Sequence, residues 1–226
     1  MLAVMPVTRI VLIHGAATTA AVWSGVRRGL SRFCPGVEVV SPQRAYSGDL
    51  AAEVDALAGL CAGALVAGVS GGATLGLALL AAGVPVGGAV LHEPAVGALV
   101  PGLLAAVARG YAAGGVPGFG AALYGPGWDP SMAPADPGAV ERDFTMFRAF
   151  QPDPAAILAS PASARSMTTV GALSPPARHE AARALQEHAG LARHELAGCR
   201  HAVHLDDPDM FAAVVAKSFV ELEKSM

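Results

Sequence analysis

Cysteine is scarce in this chain. Cys34, Cys61 and Cys199 are the only three among 226 residues. An odd, scattered set argues against a disulfide framework, lacks zinc-knuckle spacing and predicts a reducing compartment. Charge is sparse too: Asp, Glu, Lys and Arg make up 15% of residues and net to −3. With an isoelectric point of about 6.1, the chain carries no basic footprint for nucleic acid. Hydrophobic residues reach 53% and mean hydropathy is +0.48. Even so, no run approaches the roughly 18 uninterrupted apolar residues of a spanning helix. The opening Met1–Arg9 segment lacks a basic leader followed by a long apolar stretch. The expectation is a cytoplasmic protein with no secretory signal and no membrane partner.

What is present alternates between strand and helix signals. Arg9–Ile13 is a continuous apolar strand, Val37–Val40 the next, Leu65–Val69 a third and Gly88–His92 a fourth. Met167–Val170 reads as a fifth and Arg193–Leu196 as a weaker sixth. Continuous rather than alternating apolar runs indicate burial on both faces. Between strands, Leu50, Val54, Leu57 and Cys61 recur at helical spacing. The last helix has Asp207 as N-cap, Pro208 in the first helical position and Phe211, Val214, Val215, Phe219 and Leu222 as its apolar face. The pattern predicts one α/β domain over residues 1–226, with a mostly parallel sheet of about six strands flanked by helices. Ligands are expected at the carboxyl ends of the strands.

Gly68-Val69-Ser70-Gly71-Gly72 sits where the third strand gives way to a helix. The spacing G-x-S-x-G is weak alone, because 27 residues are glycine. Its strand–turn–helix context makes it strong. A serine on so sharp a turn is held above the sheet with its hydroxyl exposed. The amides of the following helix face any developing oxyanion.

Residues 95–164 break the rhythm. Helical pieces are predicted over 99–113 and 137–150, separated by the turn-rich stretches Gly114–Gly118 and Gly125–Pro130. Seven aromatics, Tyr111, Phe119, Tyr124, Trp128, Phe144, Phe147 and Phe150, concentrate here. The segment reads as a small helical cap, and its rings either line a pocket or only pack the cap core. Phe144, Phe147 and Trp128 are the candidate substrate-binding residues.

Three separated elements resemble the α/β-hydrolase superfamily. They are His14-Gly15 after the first strand, the elbow at Ser70, and Gly198-Cys199-Arg200-His201 before the closing helix. The resemblance implies Ser70 as nucleophile and His201 as general base. It also implies the Ala16 and Gly71 amides as oxyanion donors, with no cofactor. Two early antiparallel strands common in the family are missing, so this would be a compact member. The family's acid position, past a glycine after the cap, is occupied here by Ser174. Glu93, one strand away, is the candidate acid, because strands lie about 4.8 Å apart and glutamate adds a methylene. The alternative is that Glu93 only braces the rim.

Other polar residues carry plainer expectations. His14 is expected to order the oxyanion loop, and Arg44 and Tyr46 either to line the pocket or to order their own loop. His92 is expected to face away from Glu93, because strand neighbours alternate sides. His179, His188 and His194 read as surface residues. His204 lies three residues from His201, but no carboxylate–histidine cluster completes a metal site.

The reading is a serine hydrolase of an ester, thioester or lactone of a small, largely apolar molecule. Carbon–carbon bond hydrolysis and perhydrolysis use the same constellation and stay open, as does the oligomeric state. The alternative is a non-catalytic hydrolase-fold receptor or binding protein, which Ser174 in the acid position favours.

Overall fold

In the computed structural model, which describes residues 7–224, six parallel strands form one sheet. They are β1 (Arg9–Ile13), β2 (Glu38–Val40), β3 (Leu65–Val69), β4 (Gly88–His92), β5 (Ser166–Gly171) and β6 (Ala192–Leu196), in the spatial order β2-β1-β3-β4-β5-β6. Most of the leaderless reading of Met1–Arg9 falls on Met1–Pro6, outside the described residues. Every residue of the central strands β3 and β4 is buried, whereas the edge strands β2 and β6 keep exposed positions. This burial explains the continuous apolar runs.

Alternate side chains of β1 enter separate cores. Ile10 and Leu12 pack with α1 (Ser24–Phe33) and the closing helix, and Val11 and Ile13 pack with α2 (Leu50–Cys61) and α3 (Gly71–Ala81). All of α3 but its last residue is buried, so its sequence is apolar all round. The Asp49 side chain accepts from the Ala52 N–H at 3.0 Å and caps α2.

The β4–β5 connection holds α4 (Ala105–Tyr124), α5 (Ala139–Ala149) and α6 (Pro154–Ala159), referred to below as the cap. The predicted break over Gly114–Gly118 is confined to Gly114 and Gly115, whose dihedrals leave the helical region. Helix resumes at once because Pro117 suits a first helical turn. The two arms approach so closely that a Cβ on Gly110 would lie 2.6 Å from the Gly118 carbonyl oxygen.

After β5 come α7 (Pro176–Ala189), a single turn α8 (Val203–Asp206) and α9 (Pro208–Lys224). Asp207 caps α9 as expected, accepting from the Met210 N–H at 3.0 Å. Phe211 and Phe219 of this helix are buried. Burying such a ring is worth about 1.5–3 kcal/mol. Among the described residues no helix is long and apolar enough to cross a membrane.

Candidate active site

The parallel register brings the ends of β1, β3, β4 and β5 together. Ile13 pairs with Gly68, Val69 with His92, and His92 with Thr169. Ser70 follows β3 directly, at φ +57° and ψ −121°. Two glycines make the turn physically possible. A Cβ on Gly72 would collide with the Ile13 carbonyl, and one on Gly68 would lie 2.5 Å from the Gly72 carbonyl carbon. Ala16, Ser70 and Gly71 line one cavity. Its free volume is about 20 Å³, room for about one water.

Glu93 takes φ +47° immediately past β4. Its Oε2 accepts from His201 Nδ1 at 2.8 Å, and its Oε1 accepts from the Gly171 N–H at 2.9 Å and from the Ser174 hydroxyl. Ser174, in the family's acid position, thus serves as a donor to the carboxylate beside it. Burial raises the Glu93 carboxyl, but the His201 hydrogen bond and the charges of His92, His201 and Arg178 outweigh it. The group is held well below the ordinary carboxylate range. Burial first, then the Arg178 charge, lowers His201 to about 4. The pair rests as carboxylate and neutral imidazole with the proton on Nδ1. His201 Nε2 is buried and makes no hydrogen bond, so the structure joins His201 to Glu93 but not to Ser70. The Ser70 hydroxyl and Thr18 both act to lower the Tyr124 phenol, against the larger effect of burial.

The outward orientation expected for His92 is corrected. Its Nε2 lies 3.7 Å from Glu93 Oε1, and its ring sits 6.4 Å from that of His201. Strand alternation fails here because the positive φ at Glu93 turns the chain out of β geometry. His92 is anchored by Thr169 Oγ1 at 2.9 Å and by the Arg200 carbonyl at 3.1 Å.

The cap closes the cavity with Leu104, Val107, Phe119, Leu123, Phe144 and Phe147. The Phe147 ring lies so close over Gly71 that a Cβ there would strike it. Trp128 is absent from this lining. It is buried, and its Nε1 donates to the Ala17 carbonyl at 2.8 Å. Its expected pocket place is taken by a role in the loop, because the indole needs a hydrogen-bond acceptor when buried.

Two residues unassigned by sequence reasoning join the site. Tyr124 stacks on His201 with ring centroids 5.7 Å apart and donates to the Ala16 carbonyl at 2.8 Å. Burial pushes its phenol far up, so it stays protonated. Arg178 of α7 lines the cavity, donates to the Glu93 carbonyl at 3.1 Å and sits 3.6 Å from the Glu93 carboxylate. Tyr124 stood out only as one of seven cap aromatics, and Arg178 carried no local signal.

His14 orders the loop after β1. Its Nδ1 donates to the Gly15 carbonyl at 3.1 Å and its Nε2 accepts from the Arg44 N–H at 3.4 Å. Arg44 and Tyr46 likewise serve the loops: Arg44 is buried with Asp143 of α5 and Glu53 of α2, and the Tyr46 hydroxyl donates to the Thr18 carbonyl at 2.8 Å. His204 is buried against Trp23 and Tyr124, with neither ring nitrogen hydrogen-bonded. His188 and His194 are exposed and His179 half-buried.

These buried histidines set an acid limit. Burial lowers His14 and His204 to about 3 and His201 to about 4, from an ordinary 6.5. Below pH 6.5 the unfolded chain binds protons that the native state refuses. Stability is therefore fully present above that pH and lost as pH falls toward 4, by up to about 1.4 kcal/mol per pH unit for each histidine. Glu93, with its lowered value, acts in the same direction below its ordinary 4.5. We expect the urea midpoint to be level from pH 8 to 7 and to drop clearly at pH 5. An unchanged midpoint at pH 5 would contradict this account of the buried imidazoles.

A family model described as "Alpha/beta hydrolase family" matches residues 10–214. No curated protein matches the sequence. Among solved structures, an alpha/beta hydrolase from Sphaerobacter thermophilus is 22% identical, with 95% of this chain and 93% of that one covered at a TM-score of 0.66. A carboxylesterase structure from the thaumarchaeon Nitrososphaera gargenis is 12% identical over 97% and 92%, with a TM-score of 0.72. The RedJ thioesterase of Streptomyces coelicolor is 16% identical over 93% and 85%, with a TM-score of 0.63. At these identities the likeness to the solved structures is one of fold. The family model, spanning nearly the whole described chain, carries the assignment: this chain belongs to the alpha/beta hydrolase family.

Proposed function

We propose that the protein is a serine-dependent hydrolase of an ester, thioester or lactone whose group beside the scissile bond is small and largely apolar. The observation that carries this reading is the Glu93–His201 hydrogen bond at 2.8 Å, which engages Nδ1 and leaves the Nε2 lone pair without a hydrogen-bond partner. In this reading a rotation about the Ser70 side chain exchanges Tyr124 for His201 Nε2. The imidazole takes the hydroxyl proton as Oγ attacks the carbonyl carbon, and Glu93 stabilises the imidazolium. The amides of Ala16 and Gly71 receive the oxyanion. His201 then protonates the leaving group, and water attacks the acyl-enzyme by the same route. The reaction as written uses no cofactor. Carboxylesterase and thioesterase structures among the fold neighbours support acyl transfer as the chemistry. Three unpaired, buried cysteines support a cytoplasmic site of action.

A fluorophosphonate probe and a panel of p-nitrophenyl esters from acetate to octanoate test this. We expect stoichiometric labelling at Ser70 and turnover favouring short acyl groups. Saturable ligand binding without labelling would support the receptor reading instead. Phe144 and Phe147 should set the length preference, because both rings close the cavity. Phe147 also separates the cavity from a groove of about 280 Å³ lined by Val100, Leu103 and Gln151. Phe147→Ala should raise the octanoate-to-acetate rate ratio about tenfold. Unchanged ratios in both Phe144→Ala and Phe147→Ala would count against a pocket role.

A further inference from the structure

In the loop after β1 the carbonyls of His14, Gly15, Ala16 and Ala17 are each held by a side chain. The His14 carbonyl accepts from Arg44 Nε at 3.2 Å, and the Gly15 carbonyl from Arg44 Nη2 at 3.3 Å, Thr18 Oγ1 at 3.0 Å and His14 Nδ1 at 3.1 Å. Tyr124 and Trp128 of the cap hold the Ala16 and Ala17 carbonyls, each at 2.8 Å. Ala17 sits at φ +54°, where a residue with a Cβ needs such support.

The Gly15 carbonyl belongs to the same peptide unit as the Ala16 N–H. That unit is trans, so the two groups point in opposite directions. Drawing the carbonyl toward Arg44 therefore turns the N–H away from Arg44. The Ala16 N–H makes no hydrogen bond within the described protein, and Ala16 shares a cavity wall with Ser70 and Gly71.

We propose that Arg44, locked in place by Asp143 of the cap, is a positioning residue of the oxyanion hole, one that ties this loop to the cap. The inference rests on the hydrolase reading above. The guanidinium is completely buried. Asp143 grips it with both carboxylate oxygens, Nη1–Oδ1 being 3.1 Å, and Glu53 Oε2 lies 3.4 Å from Nη1. Such a two-pronged grip fixes the plane of the guanidinium and hence the direction of Nε and Nη2. Asp143 reaches in from α5, so a cap helix helps hold the peptide that meets the oxyanion. The cap thereby shapes catalysis as well as substrate choice.

The test is Arg44→Lys, which leaves a positive charge for Asp143 and Glu53 but loses the planar fork. Rates are expressed per active site titrated with the fluorophosphonate probe. We expect kcat to fall about 10–100-fold with KM changed less than about threefold, as for a slightly misplaced donor. Amides of residues 14–18 should also exchange faster with solvent. An unchanged kcat per titrated site, with only the titratable fraction reduced, would mean a merely structural role and overturn the proposal. Should Arg44→Lys prove insoluble, Asp143→Asn carries the same test, since the Arg44–Glu53 pair then remains balanced. A fall in its kcat per titrated site of about threefold or more supports the proposal, and no fall overturns it. Wild-type exchange rates over residues 14–18 in the variant also overturn it, whatever the activity. Faster exchange, in a protein whose wild type neither labels nor turns over, sinks the hydrolase reading and leaves the positioning intact.

Discussion

Ser70→Ala protein is expected to fold and melt as the wild type does and to lose ester turnover by on the order of 10⁴–10⁶. The substitution deletes one oxygen at a position where the backbone already bears φ +57°. Alanine meets no new clash and no new strain there. Ser70 is 8% exposed, and its carbonyl, which the substitution keeps, accepts from both the N–H and the hydroxyl of Thr74. The turn should therefore survive. On the proposed reading the effect is large because the imidazole, the acid and the oxyanion amides would all act through the bond that Ser70 Oγ forms. The variant should also fail to take up the fluorophosphonate. If it kept more than a tenth of the wild-type rate, with contamination excluded by titration, the nucleophile would lie elsewhere.

The second large effect is expected at Glu93→Gln: a fall of roughly 10²–10⁴ in kcat with KM little changed. The carboxylate offers acceptors to His201 Nδ1, the Gly171 N–H and the Ser174 hydroxyl at once. An amide has only one acceptor oxygen. If that oxygen stays with Gly171 and Ser174, the NH₂ group faces His201 Nδ1 and forces the proton to Nε2. The base then loses its lone pair toward Ser70. If the oxygen faces His201 instead, the NH₂ group opposes two donors, and the imidazolium still lacks its counter-charge. Arg178 also loses its carboxylate partner 3.6 Å away. Removing one member of a buried pair costs about 3–5 kcal/mol. The melting point must accordingly be measured beside the rate, and kcat taken per titrated site. Ser174→Asp in this background places a carboxylate at the family's acid position and should return part of the activity. A Glu93→Gln enzyme that is folded and retains a tenth or more of wild-type kcat would falsify the assignment of Glu93 as the acid.

Much of the frame was legible in order along the chain. β1, β3 and β4 announced themselves because strands buried on both faces need continuous apolar side chains. Asp207 and Pro208 marked the start of α9 because an N-cap is a matter of neighbouring residues. The serine turn was legible in part for the same reason: a Cβ on Gly68 would meet the Gly72 backbone within the turn, whereas Gly72 answers to the Ile13 carbonyl of the neighbouring strand. Glu93 was reachable as a candidate because parallel order makes the ends of adjacent strands neighbours, and the structure puts it 2.8 Å from His201, 108 positions later.

What the chain order could not carry was direction and company. His92 was read by strand alternation, which stops applying one residue too early, where Glu93 turns to positive φ. Arg178 faces the cavity only because α7 is laid against β5 and β6, and nothing local distinguishes it from the exposed arginines. Tyr124 and Trp128 looked like two packing rings in a cap rich in them. Their hydroxyl and indole N–H find carbonyls more than a hundred residues upstream. Arg44 and Asp143 are separated by 99 positions and meet in a fully buried pair. Sequence by itself thus determined the elements and the sharp turn bearing Ser70, since apolar runs, capping and the approach of Gly68 to Gly72 are set over a few residues. Tertiary structure alone decided which polar groups share the site, because a buried donor must find its acceptor through space and the sheet register chooses which one it meets.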